Sequence, residues 1–147
     1  MIHLEVQSTG ADDNVRTAVH GWLREYNIQA NGDFMAAMDQ GALKPLTLVA
    51  RNDDHAVIGG LFADTLLSWL RVHIVAVDTA VRGTGIGTRL MQAAEAEAKT
   101  RGCSHAYVDT MSYQSPDFYR KLGYAEAGRI PNWDSHGHTK HYFTKRL

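Results

Sequence analysis

The residues best suited to chemistry form a glycine-rich segment, residues 82–87, with the sequence Arg-Gly-Thr-Gly-Ile-Gly. An extended run precedes the segment and a helical pattern follows it, so several backbone N–H groups and the positive end of the helix dipole point to one place. Glycine permits close backbone approach and positive φ, and Arg82 adds a cation at the rim. The segment indicates a phosphate or pyrophosphate site, although a tight turn with a purely steric need for glycine explains it equally well.

Two well-known nucleotide-binding loops fit this segment poorly. The loop of nucleoside triphosphatases requires a Lys followed by Ser or Thr, and both are missing here. A dinucleotide-binding loop requires a third glycine where this chain has Thr88, although Asp109 stands near a strand end, where a ribose-binding acid is expected. An oxidoreductase that uses NAD(P) is therefore only a third interpretation.

Two motifs in order along the chain resemble those of one family. Residues 75–78 and 81–90, which include the glycine-rich segment, resemble the acyl-CoA-binding signature (Arg/Gln)-x-x-Gly-x-(Gly/Ala) of the GNAT superfamily of N-acetyltransferases. Residues 117–124 are similar to the second hallmark of that family, a short helix that ends in Phe-Tyr-x-x-x-Gly-(Phe/Tyr). The resemblance covers essentially the whole chain and implies acetyl-CoA as the cosubstrate.

The resemblance also implies how acetyl-CoA is held. The strand before the glycine-rich segment splays from the next strand and admits the pantetheine arm, so the backbone of Val75 and Val77 would border that arm. The residues implied to hold the pyrophosphate are Arg82, Gly83, Thr84, Gly85, Ile86, Gly87 and Thr88. Where relatives have an Asn that contacts the coenzyme arm, this chain has Ser112, and the nearby Gln114 is a substitute.

Direct attack of an amine on a thioester requires a proton acceptor and a proton donor. Tyr119 falls on the family's tyrosine position and is predicted to protonate the leaving thiolate, the less favoured alternative being a core aromatic residue. Relatives commonly place a Glu where this chain has His73, and an imidazole with a pKa of about 6.5 suits a base at neutral pH. A solvated His73 is an equal alternative, and Asp109 and Tyr107 are the other candidates for the base.

The acceptor amine is expected to meet polar and aromatic side chains from the first helical region and the last loop. The predicted substrate contacts are Tyr26, Asn27, His73, Asp109 and Trp133. Trp22 lies on an apolar helical stripe and is expected in the core, and Cys103 is expected to be a small residue at a strand start. His136, His138 and His141 lack an acid or cysteine that would complete a ligand set, so no metal is expected.

The hydrophobic pattern predicts the order β, α, (α), β, β, β, α, β, α, β, β. The predicted strands include a short one through Leu4 and Val6, a hairpin over 47–51 and 56–65, and runs over 69–77, 105–111, 124–130 and 138–146. Strict alternation over 69–77 predicts that Leu70, Val72, Ile74 and Ala76 share the core face. The connection over 28–45 is predicted to be mobile or partly helical. The expected fold is a single α/β domain over 1–147, with a mixed, mostly antiparallel sheet flanked by helices.

Composition narrows the functional classes. The chain has 147 residues, of which 44% are hydrophobic and 21% charged, as in one globular domain. Fifteen Lys plus Arg against sixteen Asp plus Glu give a net charge of −1, so no basic excess favours a nucleic-acid or membrane partner. No apolar run reaches the roughly 20 residues that span a bilayer, and the first residues do not resemble a secretion signal, so a cytoplasmic location is expected.

These observations lead to one preferred function and one alternative. The preferred function is the transfer of the acetyl group of acetyl-CoA to a primary amine of a small molecule or peptide. The alternative is a non-catalytic acyl-CoA sensor, because Tyr119 is retained while the usual Glu and Asn are replaced. Homodimers are common in the family, so the resemblance leaves a homodimer open, and it names neither the acceptor nor the preferred acyl chain.

Overall fold

The computed structural model describes residues 1–147, which divide into two units, Met1–Gly41 and Ala42–Leu147. The first unit contains helices α1 (Asp13–Ala30) and α2 (Gly32–Asp39). Helix α1 begins where the Asp12 carboxylate accepts a hydrogen bond from the N–H of Val15 at 2.9 Å. An ion pair of 2.7 Å between Arg24 and Asp39 joins the two helices.

Two expectations for the first unit are wrong. Residues 1–12 form no strand, because alternation of Leu4 and Val6 gives a strand only where a neighbouring strand pairs with its backbone, and none does. Trp22 is 69% exposed, so the apolar stripe of α1 does not place it in the core. The connection predicted as mobile or partly helical contains helix α2.

The second unit is built on a six-stranded sheet in the order β1-β2-β3-β4-β6-β5. Its strands are β1 (Leu43–Arg51), β2 (Val57–Leu66), β3 (Trp69–Val77), β4 (His105–Met111), β5 (Ala125–Ile130) and β6 (Lys140–Arg146). Its helices are a 3₁₀ turn (Thr79–Val81), α3 (Ile86–Thr100) and α4 (Pro116–Lys121). Only β3 and β4 are parallel, so the predicted mixed, mostly antiparallel sheet flanked by helices is confirmed.

Helix α3 supplies the crossover between β3 and β4 and packs on strands β1 to β3. Its apolar residues recur at helical spacing, and the buried ones are Leu90, Met91, Ala94 and Ala98. They join sheet residues in one core, of which the largest fully buried members are Phe143, Leu61, Leu70, Met91 and Val108. One apolar face of this helix therefore packs on the sheet, as the helical spacing of these residues requires.

Strand β3 contains a β-bulge that changes which side chains face the core. Ile74 pairs with Phe62 and Val72 pairs with Ala63, so His73 has no partner on β2. One extra residue reverses the alternation of every residue that follows it. Ile74 is accordingly 54% exposed, and the expectation that it and Ala76 share the core face with Leu70 and Val72 is wrong.

Beyond the bulge, Val75 and Val77 pack against the core instead. Strands β3 and β4 also stop pairing at this level, because their ladder joins residues 69–72 to residues 105–108 and ends there. The two strands part beyond Val72 and Val108, and this is the splay that the sequence resemblance implied. No helix of the chain combines the length and the apolar character that a membrane crossing requires.

Candidate functional site

A cleft of about 850 Å³ opens where β3 and β4 part. Its walls come from the second half of β3, the glycine-rich segment, the end of β4 and helix α4. The predicted site residues that line it are His73, Val75, Val77, Arg82, Gly83, Gly85, Ile86, Gly87, Thr88, Asp109 and Tyr119. The fold therefore brings together most of the residues that the two sequence motifs singled out.

One end of the cleft is suited to an anion. Gly83 and Gly85 have φ of 78° and 83°, a left-handed conformation that favours glycine. No side chain caps α3 at Gly85, so the first N–H groups of this helix, beginning at Ile86, are available to a ligand. A Cβ on Gly87 would lie 3.3 Å from the Phe118 ring, so this glycine also allows α3 to approach α4 closely.

The other residues of the segment stabilise its shape. The Thr84 hydroxyl donates a hydrogen bond of 2.6 Å to the carbonyl of Val81, and Thr84 does not line the cleft. Arg82 donates from Nε to the carbonyl of Val77 at 3.2 Å, which holds its guanidinium at the entrance. Together with the unpaired edge of β3 beyond Val72, these features fit the pyrophosphate and the extended pantetheine arm of acetyl-CoA.

Tyr119 is the buried aromatic residue of the cleft. It lies on α4, which begins with Pro116 at its first position, although the Ser115 side chain makes no capping hydrogen bond. The ring packs edge-on against Phe118 and Tyr124 at centroid distances of 5.1 and 6.0 Å. Burial, followed by the charge of Asp109, raises the pKa of Tyr119, so the phenol keeps its proton at neutral pH.

His73 projects from the bulge of β3 into the cleft, with 52% of its side chain exposed. Its Nε2 lies 2.6 Å from Oδ2 of Asp64, whose other oxygen accepts a hydrogen bond of 2.6 Å from Nε of Arg71. Sequence reasoning missed Asp64. Its signal was an acid inside the apolar strand β2, but only the strand register places it opposite Arg71.

Asp109 also lies in the cleft and is held from two sides. The Tyr107 hydroxyl donates to its Oδ2 at 2.9 Å, and Lys140 Nζ lies 3.2 Å from its Oδ1. Burial, and then the bond to Asp109, raise the pKa of Tyr107, which makes this residue a weak candidate for a base. Trp133 does not line the cleft, but Lys140 lies over its ring at 4.7 Å and so connects it to Asp109.

Ser112 and Gln114 have different positions. The Ser112 hydroxyl accepts a hydrogen bond from the N–H of Thr139 at 3.1 Å, and Ser112 does not line the cleft. Gln114 does line it, with its Oε1 accepting from the N–H of Met111 at 2.8 Å. A coenzyme contact from Ser112 stays a prediction, and Gln114 is the better placed of the two residues.

The remaining candidates lie on other elements. Tyr26 and Asn27 are on α1 of the first unit, and their contacts with the substrate stay a prediction. His138 pairs with Asp134, and His141 pairs with Glu126 at 2.8 Å, so these histidines have separate partners. Cys103 is buried two residues before β4, and burial raises the pKa of its thiol, as expected of a structural cysteine.

Comparisons with known proteins agree with this geometry. A family model described as an acetyltransferase (GNAT) domain matches residues 44–126. The acetyltransferase Atu2258 of Agrobacterium fabrum is 35% identical over 125 residues, which span 85% of this chain and 86% of that protein. The blasticidin-S acetyltransferase of Streptomyces morookaense is 35% identical over 111 residues, or 75% of this chain and 81% of that protein.

Solved structures share the fold. The crystal structure of an acetyltransferase from Bacillus cereus superimposes with a TM-score of 0.80 at 28% identity, covering 99% of this chain and 98% of that one. An aminoglycoside 6′-N-acetyltransferase complexed with coenzyme A is similar in fold, with a TM-score of 0.63 and 18% identity over 93% of this chain and 95% of that one.

Proposed function

Because the chain belongs to the GNAT acetyltransferases and is an acetyl-CoA-dependent enzyme, we propose that it acetylates a primary amine of a small molecule. The observation that carries the small-molecule class is the similarity to a relative whose name gives blasticidin S as its substrate. The family match and the named acetyltransferases favour an enzyme over the non-catalytic sensor.

Residues of the second unit would hold acetyl-CoA, which supplies the activated acetyl thioester when bound. The first N–H groups of α3 and the guanidinium of Arg82 would neutralise the pyrophosphate. The edge of β3 along Val75 and Val77, which has no partner strand beyond the splay, would pair with the pantetheine amides. A backbone N–H of the same edge would stabilise negative charge on the carbonyl oxygen during attack.

The acceptor side of the cleft would bind and deprotonate the amine. An alkyl ammonium ion with a pKa of about 10 must lose a proton before it can attack. His73 would take that proton, directly or through water, and Asp109 would attract the ammonium ion by its charge. Substrate contacts from Tyr26, Asn27 and Trp133 stay predictions.

Tyr119 would donate the proton that the leaving thiolate requires. Its buried ring lines the cleft, and its raised pKa keeps the phenol protonated at neutral pH. The phenol is therefore in the protonated form that a proton donor requires.

The test is release of free thiol from acetyl-CoA with a panel of aminonucleosides, aminoglycosides, polyamines, amino acids and peptides. We expect turnover with one class of small amine, blasticidin S being the first compound to try, together with loss of turnover in Tyr119→Phe. Turnover with peptides alone would overturn the small-molecule assignment. Light scattering of the same samples tests for the homodimer, which stays a prediction.

A further inference from the structure

One carboxylate next to the cleft has no part in the chemistry described above. Asp64 lies on β2 opposite Arg71, with only 16% of its side chain exposed. Its two oxygens have separate partners: Oδ1 accepts from Nε of Arg71 at 2.6 Å, and Oδ2 lies 2.6 Å from Nε2 of His73. The carboxylate thus connects a permanent cation to an imidazole that lines the cleft.

The ionisation of Asp64 determines whether Nε2 of His73 donates or accepts in their hydrogen bond. Partial burial acts to raise its pKa, but the hydrogen bonds from Arg71 and His73 outweigh burial, and the pKa lies below its usual value. An ionised carboxylate only accepts hydrogen bonds, so Nε2 of His73 must carry the proton in this contact. Nδ1 of the neutral ring is then the nitrogen with a free lone pair.

We infer that Asp64 is a positioning residue, which accepts a hydrogen bond from Nε2 and so holds His73 in the tautomer whose Nδ1 can accept a proton in the cleft. The inference deepens the proposed function and rests on His73 being the base. The bulge contributes, because a bulged residue leaves the regular ladder and its side chain can be directed toward a site.

Because Arg71 binds one oxygen of Asp64, replacing the other oxygen by an amide nitrogen should change the tautomer of His73. A guanidinium donates hydrogen bonds and cannot accept them, so it would bind the one oxygen of an amide at position 64. In Asp64→Asn the amide oxygen would face Arg71 and the NH₂ group would face Nε2 of His73. Nε2 would then have to accept, which moves the ring proton to Nδ1 and blocks it as a base.

The titratable groups around His73 are few. Arg71 lies on its own strand and Asp64 on β2, while Asp109 from β4, Tyr113 from the following turn, Tyr119 from α4 and Arg82 from the glycine-rich segment line the same cleft. All of them except Asp64 are present in Asp64→Asn, so a change in the tautomer of His73 reports on position 64.

The experiment is ¹⁵N NMR of the full chain with labelled histidine, at a pH where the rings are neutral. The chain has 8 histidines, so His73→Gln identifies the signals of interest. We expect the proton on Nε2 in the native protein and on Nδ1 in Asp64→Asn. Thiol release with the most active amine of the panel should fall about 100-fold or more, as on loss of a general base, while the KM for acetyl-CoA is unchanged.

The double variant Asp64→Asn/Arg71→Met is the matched control. Without the guanidinium the amide can turn its oxygen toward His73, so the native tautomer and part of the turnover should return. A proton on Nδ1 in the native protein, or the native tautomer in Asp64→Asn, would overturn the inference. A tautomer that changes without loss of turnover would support the contact but refute His73 as the base, which separates the two proposals.

Discussion

Replacing Glu95 by Ala should destabilise the second unit by about 3 kcal/mol, the lower end of the cost of removing one partner from a buried ion pair. Glu95 is a buried acid on the core face of α3. Its carboxylate accepts from Lys145 Nζ at 2.8 and 3.0 Å and from the Tyr124 hydroxyl at 3.0 Å. These bonds fix helix α3 to β6 and to the turn after α4.

The magnitude follows from the burial of the two donors. The Lys145 side chain is 25% exposed, so its ammonium group can reach water once Glu95 is gone. The Tyr124 hydroxyl is buried and would lose its acceptor, at a cost of about 1 to 3 kcal/mol. The total is therefore expected near the lower end of the range for buried pairs.

Urea unfolding followed by far-UV circular dichroism measures the change. With a slope of about 2 kcal/mol/M, the midpoint should fall by about 1.5 M. The matched control is Glu97→Ala on the same helix, which removes the more exposed pair with Arg101 and should cost about 0.5 kcal/mol. If Glu95→Ala cost no more than Glu97→Ala, the reasoning from burial would be refuted.

Three predictions concern residues that line the cleft. Tyr119→Phe should lower kcat about 100-fold with little change in affinity for acetyl-CoA, and a full kcat would rule out the acid role. His73→Ala should lower kcat about 100-fold, because the amine then lacks a general base. An unchanged kcat would contradict this role, and the exposed His20→Ala is the control. Gly85→Val should weaken coenzyme binding in calorimetry, because a φ of 83° is strained for valine by about 1 to 2 kcal/mol and the turn that lines the cleft would change shape to relieve that strain. Unchanged affinity would contradict the role of that turn.

The parts of the site that depend on residues close together in the sequence could be predicted. Residues 82–87 specify a left-handed turn and an uncapped helix start by their own backbone preferences, and the core stripe of α3 follows from helical spacing. Tyr119 was found because its neighbours in the chain form a recognisable short helix. These features depend on residues that are adjacent in sequence, so they were visible without the fold.

Contacts between strands could not be predicted from the sequence. Asp64 and His73 meet only because β2 and β3 pair in one register, and Lys140 reaches Asp109 only because β6 lies beside β4. The alternation of apolar residues does not reveal a bulge. Ile74 and Ala76 were therefore predicted to face the core, and they do not. One inserted residue exchanges the buried and exposed sides of the rest of the strand, and the amino-acid composition of the strand does not show it.

The sequence by itself determined the anion-binding turn, the helix that follows it, the order of most elements and the family, since each depends on short-range spacing. The tertiary structure alone decided where the strands part, which side of β3 faces the core, and which carboxylate meets His73. Those outcomes depend on hydrogen bonds between residues distant in the chain, whose register is set by the packing of the whole sheet.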